Sequence, residues 1–124
     1  MQNQLLAGKH ILIVEDDEPC RLLLEAMLED LGCTFDIALN GQEGIDKMMK
    51  HEFDVVVTDI RMPVMTGYEM VKLIRKTHPN LPIVALTAHA MEWVKGKCIH
   101  HGMNDYLSKP FKQEKLVEML LKWV

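Results

Sequence analysis

Short runs of β-branched and apolar residues alternate with stretches of helical periodicity along the whole chain, and that alternation leaves few folds open. "HILIV" at 10–14 is continuously apolar, the pattern of a strand covered on both faces. Cys20, Leu24, Met27, Leu28 and Leu31 then recur at helical spacing, with Asp17 placed to cap, Pro19 in the first turn and Gly32 at the stop. "TFDIAL" reads as a second strand, and "NGQEGIDKMMKH" as a helix with Asn40 and Glu43 in capping-box register. "FDVVVTD" is a central third strand, and "TGYEMVKLIRKTH" a helix ended by Pro79 and Asn80. "LPIVALTA", "MEWVKGKCIHHG", a weak strand "MNDYLS" and a closing helix "KQEKLVEMLLKWV" complete five strand-helix pairs. Short connections and right-handed crossovers then require a parallel sheet with helices on both faces. The predicted fold is α/β, a doubly wound five-stranded parallel sheet over residues 9–124, with residues 1–8 as a flexible N-terminal tail.

The chain has 124 residues, enough for one domain with one core. A net charge of −4 gives no general nucleic-acid surface, so no direct nucleic-acid partner is expected. No apolar run reaches membrane-spanning length, and "MQNQLLAGKH" lacks the layout of a secretory signal. Cys20, Cys33 and Cys98 are odd in number and widely spaced, as in a cytoplasmic protein with reduced thiols. Cys98, His100 and His101 invite a zinc reading, but a structural site needs four ligands and two are missing. Gly41 and Gly44 form no nucleotide-binding loop. The ten Met residues read as core filler, and Trp93 as either a partner contact or a residue folded onto its neighbour.

The chemistry gathers where strands end. "IVEDDEP" places Glu15, Asp16, Asp17 and Glu18 directly after the first strand, and the third strand ends in Asp59. Alone, such a cluster is a solvated helix start, since acids favour first turns. In open α/β sheets, however, ligands bind outside the carboxyl ends of the strands. If strands one and three are neighbours, these carboxylates converge, and gathered carboxylates with room for water suit Mg²⁺. Thr87 ends the fourth strand, and Lys109-Pro110 follows the fifth. Acids, a hydroxyl and a lysine around a metal amount to a phosphoryl-transfer site, with Asp59 best placed as a carboxylate nucleophile.

With "ILIVEDDEP", "DVVVTDIRMPVMTGYEM", "PIVALTA" and "DYLSKPF" in order, residues 9–124 resemble the receiver domain of two-component response regulators. The resemblance implies a flavodoxin-like sheet of order 2-1-3-4-5. It implies that Asp59 is the phosphoacceptor, and that Asp16, Asp59 and the backbone carbonyl of Arg61 hold Mg²⁺, with Glu15 acting through water. It further implies that Thr87 and Lys109 hold phosphoryl oxygens and that Tyr106 follows Thr87 in switching. Lys109-Pro110 is expected to be cis, Ala88 to leave the acceptor accessible, and Asp17 to cap a helix beside the pocket. Arg61 and His89 flank the entrance and are expected to tune hydrolysis.

The expected function is a phosphorelay receiver that catalyses its own phosphorylation and dephosphorylation. Its partners would be a histidine kinase, a histidine phosphotransfer domain, or both. The stretch 85–111 looks most like receivers of hybrid sensor histidine kinases, whose parent chain can be membrane-anchored; this domain itself would touch no membrane. The alternative is a stand-alone single-domain regulator, since the closing helix uses the last residues. A haloacid-dehalogenase-type phosphatase is disfavoured, because Asp59-Ile60-Arg61 lacks that family's second acid. A pseudo-receiver is disfavoured by the complete pocket. A monomer, or a weak dimer through the fourth and fifth helices, is expected.

Overall fold

The computed structural model describes residues 5–88 and 92–124, without the side chains of Glu92 and Trp93. His89 and the Trp93 side chain therefore lie outside the described residues. The chain runs β1 (His10–Val14), α1 (Glu18–Asp30), β2 (Thr34–Ala38), α2 (Gly41–Lys50), β3 (Val55–Asp59), α3 (Gly67–Thr77), β4 (Ile83–Thr87), α4 (Glu92–His100), β5 (Asp105–Ser108) and α5 (Gln113–Trp123). All four strand pairs are parallel, in the order β2-β1-β3-β4-β5. The sheet is the doubly wound one expected, and β1 does lie beside β3, with Val14 opposite Thr58.

Alternate residues of the central strands feed two cores. Ile11, Ile13, Val55 and Val57 pack with Leu24 and Leu28 of α1 and Leu116 and Leu120 of α5. Leu12, Val14 and Val56 pack with Met48 of α2, Met70 and Ile74 of α3, and Val94 and Cys98 of α4. Burying each such side chain contributes roughly 1.5–3 kcal/mol, which is why these strands carry almost no polar residues until their last positions. The methionines divide: Met48, Met70 and Met103 are buried, whereas Met49 stands in solvent.

Two local expectations change. The flexible tail does not extend over residues 5–8. Leu6 is 1% exposed, sits in the α1/α5 core, and donates its backbone N–H to Leu31 at 3.1 Å. A lone apolar pair has no periodicity to announce it, and Gly8, at φ +83°, turns the chain back into β1. In α2, Asn40 accepts from the Glu43 N–H at 2.9 Å, but Glu43 reaches Leu39 N–H rather than the cap's own. The full reciprocal capping box belongs to α3, between Thr66 and Glu69.

Long-range polar ties fasten the helices. Arg75 of α3 donates to the carbonyls of Gly102, His78 and Leu81 and to Asn104 Oδ1, while Asn104 also accepts from Ile83 N–H. Burial pulls the Arg75 guanidinium below its ordinary pKa. Trp123 and Lys122 of α5 both reach Asp105 Oδ2, at 3.1 and 3.4 Å. Burial opposes the Asp105 charge, but these donors and the Tyr106 N–H outweigh it and hold its pKa below the usual carboxylate range.

Candidate functional site

The carboxyl edges of β1, β3, β4 and β5 bring the predicted residues together because the strands are parallel and in register. One ligand oxygen from each of Glu15, Asp16 and Asp59 lies within 4.8 Å of the other two. Glu15 extends β1, donating its N–H to Ala38 at 3.0 Å, and is fully buried. Asp16 is exposed, and Asp17 turns away to cap α1, accepting from Cys20 N–H at 3.1 Å. Asp59 is half-buried, with Oδ1 accepting from Ile60 N–H at 2.8 Å.

Lys109 bridges the acids. Its Nζ donates to Glu15 Oε1 at 2.8 Å and Asp59 Oδ2 at 3.3 Å. The Lys109-Pro110 peptide is cis, as expected, and Lys109 N–H donates to Thr87 O at 2.7 Å. Burial pulls the ammonium pKa down, but the Glu15 hydrogen bond and the charges of Asp59 and Glu15 win, so Lys109 stays protonated. For Glu15 the balance goes the other way. Burial raises its pKa to about 7 despite Lys109, and neighbouring Asp59 adds to the rise. Its second oxygen, Oε2, has no hydrogen-bond partner among the described residues. A buried carboxylate oxygen left unpaired is costly, and an oxygen-seeking cation would relieve it.

A cleft of about 260 Å³ opens above Asp59, with Arg61, Thr87, Ala88 and Lys109 in its lining. Thr87 is 6% exposed and Ala88 is exposed. Tyr106 is half-buried against the α2–α4 core and is not part of that lining. The loop after Asp59 is tightly made. Met65 N–H donates to Pro63 O at 2.7 Å around Val64, whose φ of 71° is rare for a β-branched residue. Gly67 N–H donates to Ile60 O at 2.8 Å, and a Cβ on Gly67 would clash with the Asp59 carbonyl oxygen. Tyr68 of α3 and Lys97 of α4 also line the cleft. Sequence reading missed both, since neither belongs to a motif and each looks like an ordinary helix residue.

A family profile described as the response regulator receiver domain matches residues 11–121, nearly the whole chain. The chain belongs to the response regulator receiver family. Among proteins similar to this receiver, the sensor protein GacS of Pseudomonas syringae is 36% identical over 91% of this chain. The receiver spans only 13% of that relative's length. The receiver domain of the sensor histidine kinase PA1611 from Pseudomonas aeruginosa superposes with a TM-score of 0.87 at 37% identity, over 94% of this chain and 98% of that one. That structure holds a magnesium ion coordinated in its active site cleft. The receiver domain of the Saccharomyces cerevisiae response regulator Ssk1, crystallised with the histidine phosphotransfer protein Ypd1, superposes with a TM-score of 0.88 at 29% identity, covering 94% of this chain and 89% of that one. Among the described residues, no helix is long and apolar enough to cross a membrane.

Proposed function

We propose that this receiver takes a phosphoryl group from a phosphohistidine onto Asp59, and that it serves in a hybrid sensor histidine kinase. The observation that carries the reading is the joining of Glu15 and Asp59 by Lys109 beside a buried, unpartnered carboxylate oxygen. An all-oxygen donor set with an orphaned buried member fits Mg²⁺, which Asp16, Asp59 and the Arg61 carbonyl would hold directly and Glu15 through water. When bound, Mg²⁺ supplies Lewis-acid stabilisation of charge on the phosphoryl oxygens.

In this mechanism, a carboxylate oxygen of Asp59 attacks phosphorus in line. The P–N bond breaks, its electron pair stays on the imidazole, and an acyl phosphate remains on Asp59. Lys109 and Thr87 hold the phosphoryl oxygens, so charge that develops there meets donors already in position. Water later attacks phosphorus and releases inorganic phosphate, with Arg61 in the cleft lining setting its access. Thr87, drawn to the phosphoryl group, vacates space into which Tyr106 turns.

An apolar groove beside the cleft, lined by Pro19, Cys20, Leu23, Pro110 and Phe111, supports docking of a donor helix. A histidine phosphotransfer domain or a kinase's phosphohistidine domain is the partner this reading assigns. The proposed setting is the cytoplasm, with the receiver as a monomer or a weak dimer through α4 and α5.

The test is incubation with Mg²⁺ and acetyl phosphate, followed by intact mass. A single labile phosphate adduct in the wild type, absent without Mg²⁺ and absent in Asp59→Asn, is expected. A folded wild type that takes no phosphate would sink the reading in favour of a phosphorylation-independent binding module. Steady turnover of p-nitrophenyl phosphate would instead point to a phosphatase.

A further inference from the structure

Among the described residues, three cations line the cleft above Asp59, and they differ in what holds them. Lys109 is committed to Glu15 and Asp59. Arg61 is exposed on the loop that follows the acceptor. Lys97 is exposed on α4, and among the described residues no carboxylate lies within ion-pair distance of it. Its ammonium lies 5.3 Å from the centroid of the Tyr68 ring.

Tyr68 is itself well held. The His101 ring stacks on it at 4.2 Å, and its hydroxyl faces Cys98 Sγ at 3.8 Å. His101 Nδ1 pairs with the carbonyl of Lys97 at 2.8 Å, so the ring, the imidazole and the lysine's own backbone form one unit across α3 and α4. Burial first, then Cys98, raises the phenol pKa to about 12, which keeps the ring neutral. A cation over a neutral ring at an exposed site is weakly held, whereas a phosphate dianion attracts it strongly.

We propose that Lys97 is a specificity-determining residue of the cleft, an ammonium resting on Tyr68 that draws dianionic phosphodonors past the acids at the strand ends. The proposal rests on Asp59 being the acceptor. Glu15, Asp16 and Asp59 offset the charge of Lys109 and of a divalent cation held among them, so the strand-end cluster offers an approaching dianion no surplus attraction. Among the described residues, Lys97 is the cleft cation with neither a carboxylate within ion-pair distance nor a place in the loop beside Asp59. Its effect falls on the donor's charge, so it discriminates between donors.

Wild type, Lys97→Met and Lys97→Arg would be compared for phosphorylation by acetyl phosphate and by phosphoramidate, which carries less negative charge near neutral pH. Each would be measured with Mg²⁺ at low and high ionic strength. Lys97→Met is expected to slow acetyl phosphate about fivefold at low salt, with a smaller loss for phosphoramidate and a gap that closes as salt rises. Lys97→Arg is expected to keep the wild-type preference. Wild-type rates in Lys97→Met, or an equal loss for both donors at every salt, would overturn the proposal while leaving Asp59 as acceptor. No adduct on the wild type from either donor would remove the acceptor reading, and this proposal with it.

Discussion

Glu15 is the residue whose environment and charge most disagree. Its pKa of about 7 lies above its ordinary 4.5 because burial disfavours the anion, so the folded chain binds its proton more tightly than the unfolded chain does. The stabilisation from that proton is complete below 4.5 and is lost as pH rises through 7. Metal-free protein should therefore lose on the order of 1–3 kcal/mol across that window. Mg²⁺ should restore stability on the alkaline side, where Glu15 is ionised. Urea midpoints at about pH 5 and about pH 8, with chelator or with Mg²⁺, check this. Glu15→Gln should flatten the metal-free slope, and an unchanged slope would show that other groups set it. The acids were legible in "IVEDDEP" because strand ends collect ligands in this architecture. The complete burial of Glu15 beside exposed Asp16 was not, because adjacent residues of an extended chain point oppositely and the sequence does not say which faces in.

At the scale of the element, α3 is held at both ends by contacts with different physics. Its first residue, Gly67, lies so close to Asp59 that no side chain fits, and Gly67→Ala should displace the end of β3. A stability loss of about 1–3 kcal/mol and slower acetyl phosphate labelling of Asp59 are expected, read by urea titration and intact mass. Normal stability with normal labelling would mean the loop yields without moving the acceptor. At the other end, Arg75 satisfies three backbone carbonyls and Asn104. Arg75→Met should cost about 2–4 kcal/mol, because buried acceptors are left without donors. Equilibrium unfolding measures it. The helices themselves were legible from period and caps, yet Arg75 was not. An arginine in the last turn of a helix ordinarily faces solvent and the helix dipole, and only the return of Gly102 and Asn104 from the α4–β5 connection turns it inward. Tyr68 and Lys97 were hidden for the same reason: their meeting depends on how two helices separated in sequence lie across one face of the sheet.

For the whole molecule, alternation alone was enough to give a parallel sheet clothed on both faces, and the continuous apolar runs marked its interior strands. Strand order was another matter. Local patterns do not say which strands are neighbours, so 2-1-3-4-5 came from the likeness to receivers, and the pairing of β1 with β3 bears it out. The anchoring of the residues before β1 was invisible, because Leu6 is a single buried side chain with no repeat to reveal it. That anchor has a consequence for tethering. Leu6 binds at Leu31, where α1 ends, and Trp123 binds Asp105, where β5 begins; both points lie at the sheet edge opposite Glu15 and Asp59. A cable fastened to either end of the folded body leaves from its back. A reporter fused after Val124 would therefore stand behind the receiver and leave the acidic mouth facing outward, like a lamp on its bracket.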